Sequence, residues 1–114
     1  MPLQRPNVNT MKTPVKPNYG LREDGTPKGK GWLGELQHIS GNPASEISIG
    51  VNIGGKETLI PTIVPNLTKT EIDYMMNSPV GPELFKTPMG RQIRDKAAKF
   101  AMERMRQGLS PFKD

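Results

Sequence analysis

The chain has 114 residues, with 12 Gly, 12 Pro, no Cys, one His and a formal net charge of +5. Apolar residues at 33% and aromatics at 5% allow one small domain around a small core, and the lack of Cys excludes disulfides, thiol catalysis and Cys-ligated zinc. No apolar run approaches the roughly 18 residues of a membrane-spanning helix, and no charged start followed by an apolar stretch reads as a secretory signal.

Charge is unevenly placed. Residues 1–31 carry six Lys/Arg against two acids, residues 32–85 two against six, and residues 86–114 eight against three. An acidic middle therefore sits between two basic ends. Ends of this sign suit an anionic partner, nucleic acid or an acidic protein face. The simpler account is solvated surface charge, with attraction between the ends and the middle of the same chain or of a neighbouring copy. No five basic residues run together, as a nucleic-acid arm would favour.

Residues 1–18 hold Pro2, Pro6, Pro14 and Pro17 and almost no apolar periodicity. Each Pro fixes its own φ and disfavours helix at the residue before it, so the segment is expected to be extended and to have no core of its own. Residues 19–31 are Gly-rich with an Asp24-Gly25 turn signal. Residues 31–36, GWLGEL, offer one short strand, and His38 to Ala44 reads as a loop.

Residues 46–53, EISIGVNI, alternate. Ile47, Ile49, Val51 and Ile53 share one face, and Glu46, Ser48, Gly50 and Asn52 share the other, which is the period of a half-buried strand. Gly54-Gly55 then joins it to KETLIPTIV (56–64) as a hairpin with a primed turn. A two-residue loop pairs Ile49 with Ile60 and Val51 with Thr58; a three-residue loop pairs Ile49 with Leu59. Pro61 cannot donate to a ladder, so the second strand is an edge there or ends there.

The stretch from Leu67 to Asn77 reads as a helix. Thr68 and Glu71 form a capping box, with Leu67 and Ile72 at the staple positions around it. After a Pro/Gly loop over 78–87, Thr87 caps a second helix with Pro88 at its first position, and Gly108 and Pro111 stop it. Ile93, Ala97, Phe100, Ala101 and Met105 lie at helical spacing and mark its buried face. Phe112 is expected to fold back as an anchor. The fold class is therefore α+β: a small core of a β-hairpin, three-stranded if 31–36 joins it, and two helices, with a long extended N-terminal arm. Residues 1–30 form the arm and 31–112 the domain.

The chemical motifs are weak. Gly29-Lys30-Gly31-Trp32-Leu33-Gly34 spells G-x-G-x-x-G but lacks the preceding strand and following helix of a dinucleotide site. His38 is the only imidazole and has no Cys or second His for zinc or for a nucleophile–base pair. Glu35, Glu46 and Glu57 could pair as carboxylates, but nothing in their spacing sets a geometry. Asn66-Leu67-Thr68 is a glycosylation sequon that reads here as the loop before a helix cap. Trp32 is either the centre of the small core or an anchor for a partner pocket.

Three segments together, 22–36 (REDGTPKGKGWLGEL), 45–73 (SEISIGVNIGGKETLIPTIVPNLTKTEID) and 96–112 (KAAKFAMERMRQGLSPF), carry a resemblance. The block resembles a family of small conserved tailed-bacteriophage proteins, mostly without assigned function. Trp32 stands where Phe is common in that pattern, and Asn66 where Thr is. The resemblance spans about residues 20–112 and implies a phage origin and a self-contained module, but brings no catalytic residue with it.

The expected function is thus that of a non-enzymatic virion protein. It would be a small accessory component binding larger head, head–tail junction or tail subunits in a symmetric assembly, through its arm and hairpin edge. The partner-binding candidates are Pro2, Pro6, Pro14, Pro17, Tyr19 and Trp32. The alternative is a basic nucleic-acid-binding phage protein, packaged with the genome or acting on it, with Arg91, Arg94, Lys96, Lys99, Arg104 and Arg106 as contacts. Neither reading calls for a cofactor, metal, membrane or small-molecule substrate.

Overall fold

A computed structural model describes residues 19–113. Pro2, Pro6, Pro14 and Pro17, and the arm reading for residues 1–18, lie outside the described residues.

The chain is α+β. In order come β1 (Leu36–Gln37), β2 (Pro43–Ala44), β3 (Ser48–Ile53), β4 (Lys56–Pro61), α1 (Lys69–Met76), a 3₁₀ turn (Pro82–Phe85) and α2 (Pro88–Arg106). The strands form two separate antiparallel pairs, β1 with β2 and β3 with β4. The expected third strand therefore does not form. Only Leu36 of residues 31–36 is in a strand, and it pairs with Ala44 inside the region expected to be a loop. The physical reason is the run of three glycines around Trp32: Gly31 and Gly34 take positive φ, which bends the segment away from a ladder.

The hairpin takes the two-residue register, with Ile49 opposite Ile60, Val51 opposite Thr58 and Ile53 opposite Lys56. Both turn residues have positive φ, +61° at Gly54 and +82° at Gly55, as a primed turn requires. Pairing alternates from the turn, so Pro61 opposite Ser48 falls at a position without ladder hydrogen bonds and its missing N–H costs nothing there. One further bond, Thr62 N–H to the Ile47 carbonyl at 2.9 Å, closes the ladder. Thr62, Ile63 and Val64 then leave the strand and stay buried, so the second strand is shorter than 56–64.

Helix α1 starts as expected. Thr68 is the N-cap, and the reciprocal bonds of the capping box are both present, from Glu71 N–H to Thr68 Oγ1 at 3.2 Å and from Thr68 N–H to Glu71 Oε1 at 2.7 Å. Helix α2 is capped by Thr87, whose hydroxyl accepts from Gly90 N–H, with Pro88 at its first position. Tyr74 joins the two helices: its hydroxyl donates to the Leu84 carbonyl at 2.6 Å and accepts from the Thr87 hydroxyl at 2.6 Å.

The core lies between the hairpin, the segment after it and α2. Ile47, Ile60, Ile63, Val64, Leu67, Met75, Met76, Leu84, Ile93, Ala97 and Ala101 are its buried members. Burying an Ile or Met side chain contributes about 1.5–3 kcal/mol. The face of α2 runs through Ile93, Ala97 and Ala101 as expected, with Phe100 half-buried, but Met105 is exposed. The buried stripe ends with the body it packs on, and the last turn of α2 carries it out to solvent.

Gly90 is where α2 meets the 3₁₀ turn. A Cβ there would overlap the Leu84 carbonyl and lie 2.7 Å from the Phe85 Cα. Alanine is the better helix former by about 1 kcal/mol, yet Gly90→Ala is expected to destabilise the fold, by about 1–3 kcal/mol of overpacking. Urea denaturation followed by circular dichroism checks the sign.

Candidate functional site

Residues 19–30 were expected to belong to the arm, and here the structure corrects the boundary. The loop closes on itself through Lys28 N–H to the Gly20 carbonyl and Arg22 N–H to the Thr26 carbonyl, at 3.0 and 2.7 Å. Arg22 then reaches the base of the hairpin. Its Nε donates to Glu46 Oε1 at 2.7 Å and its Nη2 to Glu46 Oε2 at 2.8 Å, and both residues are buried. Glu46 Oε2 also accepts from Gly29 N–H at 3.0 Å, and the Ser45 hydroxyl donates to the Gly29 carbonyl. The Arg22 guanidinium sits 4.0 Å over the ring of Phe112, so the C-terminal tail folds back as expected. Glu46, read as a residue on the open face of the strand, is instead two residues before β3 and covered by the loop.

Trp32 is held by the same tail. Its Nε1–H donates to the Pro111 carbonyl at 3.0 Å, its ring meets Phe100 edge to face at 5.0 Å between centroids, and Arg104 lies 4.8 Å over it. Most of Trp32 is thus engaged within the chain. Tyr19 donates its hydroxyl to Glu35 at 3.0 Å. Partial burial first, and then this bond to a carboxylate, raise the Tyr19 hydroxyl above its ordinary pKa.

Above this knot lies a groove of about 670 Å³. Its walls include Leu21 and Glu23 of the N-terminal loop, Pro43 of β2, and Pro79 and Val80 after α1; His38, Ser45 and Glu46 lie on its floor. His38 is buried with both ring nitrogens bonded. Ser40 N–H donates to Nδ1 at 3.1 Å, which leaves the proton on Nε2 to donate to the Ser78 carbonyl at 2.7 Å. With Ile39 N–H on the Met76 carbonyl at 2.9 Å, this pins the β1–β2 pair to the end of α1. The carboxylates weighed from sequence do not converge: Glu46 is bonded to Arg22, Glu35 to Tyr19, and Glu57 lies over Gly50. Among the described residues no three His, Asp or Glu side chains are grouped to hold a metal, and no helix is long and apolar enough to cross a membrane.

The six basic candidates of α2 do not form one surface. Lys96 donates to Glu71 at 2.7 Å, Arg104 to the Ser110 carbonyl at 2.8 Å, Arg106 to Glu103, and Arg94 lies 3.8 Å from Asp95. Arg91 and Lys99 make no ion pair among the described residues. With Pro88, Gln92, Asp95 and Lys96 they line a shallow depression of about 430 Å³.

Glu71 is the second buried knot. Oε1 accepts from Lys96 and from Thr68 N–H, both at 2.7 Å, and Oε2 accepts from Gln92 at 2.6 Å. Burial alone would push its carboxyl up; the bonds from Lys96, Thr68 N–H and Gln92 outweigh it and hold the carboxyl at about 2, against an ordinary 4.5.

Comparison of the chain with protein-family models, with curated proteins and with solved structures finds no match.

Two outcomes are expected. Arg22→Ala and Glu46→Gln each leave a buried partner uncompensated and should cost about 3–5 kcal/mol, whereas the paired change Arg22→Met with Glu46→Leu should cost clearly less than the sum of the singles; denaturant titration of all three checks this. The folded-state carboxyl of Glu71 lies below its unfolded value, so its contribution is full above pH 4.5 and fades as pH falls towards about 2. The stability gap between wild type and Glu71→Gln should therefore narrow over that window, as measured by thermal melts across pH.

Proposed function

We propose that this chain is a non-enzymatic structural component of a tailed-phage particle, a small accessory protein that binds larger head, head–tail junction or tail subunits in the virion. The observation that supports it most is how the buried polar groups are used. Arg22, Glu46, His38 and Glu71 each close a loop, a strand pair or a helix of the same chain. The surface therefore offers a partner, besides its charged side chains, main chain at open strand edges and exposed apolar side chains. Neither β3 nor β4 has a second neighbouring strand among the described residues, so an extended segment of another subunit can add to either edge. The resemblance over residues 20–112 supports the phage origin, and repetition in a symmetric shell would multiply contacts that are individually weak. Of the partner-binding candidates, Tyr19 remains on the groove wall. Trp32 contributes mainly within the chain.

A second reading, a basic nucleic-acid-binding phage protein, is favoured by the depression that brings Arg91, Lys96 and Lys99 together. Mass spectrometry of purified virions distinguishes the two when read with a gel-shift titration. The structural reading expects the protein in particles with the genome removed, and no DNA binding at physiological salt. Absence from purified particles overturns it. Binding that falls steeply with salt, and is weakened by Arg91→Ala with Lys99→Ala, would establish the nucleic-acid reading in its place.

A further inference from the structure

An isolated hairpin has two open edges, and its register decides which groups each edge shows. Ile49 with Ile60 and Val51 with Thr58 are the hydrogen-bonded pairs, so the residues between them turn their main-chain N–H and C=O outward. On β3 these residues are Ser48, Gly50 and Asn52, and on β4 they are Glu57, Leu59 and Pro61. Pro61 is buried and has no N–H to give, so the β4 edge is cut short. The β3 edge is complete. Gly50 and Asn52 are exposed and Ser48 is half-buried, and no other main chain among the described residues bonds to these three.

The groove reaches this edge, because its lining includes both Tyr19 and Ser48, the first residue of β3. Tyr19 is also the first described residue, with residues 1–18 before it. The chain thus enters the described fold on the wall of the groove that holds the start of the β3 edge. Charge does not choose an occupant, since Glu23 and Lys28 both line the groove. Main-chain pairing does. An added strand donates N–H groups at alternate residues, and proline has none. Within residues 1–18, Pro2, Pro6, Pro14 and Pro17 leave one proline-free stretch longer than three residues, Asn7 to Thr13. Its seven residues match the six of β3, and Val8, Thr10 and Thr13 are β-branched, as strands favour. Residues 14–18 tether it to Tyr19, a link that spans about 20 Å at most. The tether holds the C-terminal end of the stretch and lies by the N-terminal end of β3, so the two run antiparallel.

We propose that residues 7–13 pair with the open β3 edge of their own chain, with Thr13 towards Ser48 and Asn7 towards Ile53. The same chain is favoured over a second copy because a short tether holds the segment at an effective concentration in the millimolar range. The edge is then covered, which is how natural sheets avoid unwanted edge-to-edge pairing. A strand from another subunit that adds to β3 has to displace the segment, so the segment gates that edge. The gating use rests on the structural role proposed above; the pairing itself rests on the edge, the groove and the positions of the prolines.

Amide hydrogen exchange of the full chain, read residue by residue by NMR, tests it. The amides of Ser48, Gly50 and Asn52 should exchange about tenfold more slowly than in a variant carrying Thr10→Pro with Met11→Pro, the protection that one net hydrogen bond gives. The two prolines remove donors of both alternations, so they break the pairing whichever alternation meets β3. The Glu57 amide, on the β4 edge, should exchange at one rate in both proteins. Equal exchange of the three β3 amides in the two proteins overturns the inference, and so does a change at Glu57 in their place. Protection that is lost on dilution, together with the mass of two chains in sedimentation, puts the segment on a second copy and also overturns it. Unprotected β3 amides in a protein present in purified virions would overturn this inference and leave the structural role standing. Protection in a protein absent from virions would do the reverse.

Discussion

The buried pair of Arg22 and Glu46 is the constraint on which the rest of the structure depends. Removing two charges from water is costly, and it is offset here only because every part of the contact is filled. Two parallel hydrogen bonds join the guanidinium to the carboxylate, Gly29 N–H adds a third to the same carboxylate, and Phe112 covers the guanidinium face. The pair thus joins three places far apart in sequence: the N-terminal loop, the base of the hairpin and the C-terminal tail. A hydrophobic contact of the same size would bury area but would not select one arrangement of three loops; the planar fork of arginine does.

A second knot repeats the logic on the other side of the core. Thr68 and Glu71 make a capping box, which is a local device worth about 1 kcal/mol. Lys96 and Gln92 of α2 then bind the same carboxylate, so the start of α1 becomes the attachment point of the longer helix. With Tyr74 bridging Leu84 and Thr87, the helices are registered by polar contacts at their ends, and the apolar stripe through Ile93, Ala97 and Ala101 fills what lies between. A chain with so few aromatics relies on such fully satisfied polar contacts to make a small core specific. The buried polar groups are thus spent on joining parts of this chain to one another, while β3 and β4 each keep one edge without a neighbouring strand among the described residues.

Much of the local structure was legible in the residues themselves. The alternation of Ile49, Val51 and Ile53, the Gly-Gly turn, the capping box at Thr68 and the Thr87-Pro88 start all depend on neighbours within four residues, and each formed where it was read. The failures share a cause. Glu46 looked like a solvent-facing strand residue because its partner is 24 positions away. Residues 31–36 looked like a strand because the positive φ of Gly31 and Gly34 outweighs three apolar side chains. Met105 looked buried because periodicity says which face of a helix is apolar, not how far along the helix there is something to pack on. As to the candidate site, Tyr19 and Trp32 were read from the sequence as partner contacts; the structure puts Tyr19 on the groove wall and Trp32 against the C-terminal tail, and the groove itself was not read from the sequence. Its walls come from three stretches of chain with no shared motif.

By itself, the sequence determined the class, α+β, a hairpin turning at Gly54-Gly55 and both helix starts, while the choice between a two-residue and a three-residue loop was settled by the pairing of Ile49 with Ile60. The class, the turn and the helix starts follow from backbone preferences and short-range hydrogen bonds that act before any long-range contact forms. Tertiary structure alone decided where the Gly-rich loop ends up, which carboxylates are buried, and which apolar side chains remain outside. Those outcomes turn on desolvation: a charge is buried only where distant partners replace its water, and an apolar residue stays exposed only where the body of the fold has run out. Neither condition is written in the spacing of residues along the chain.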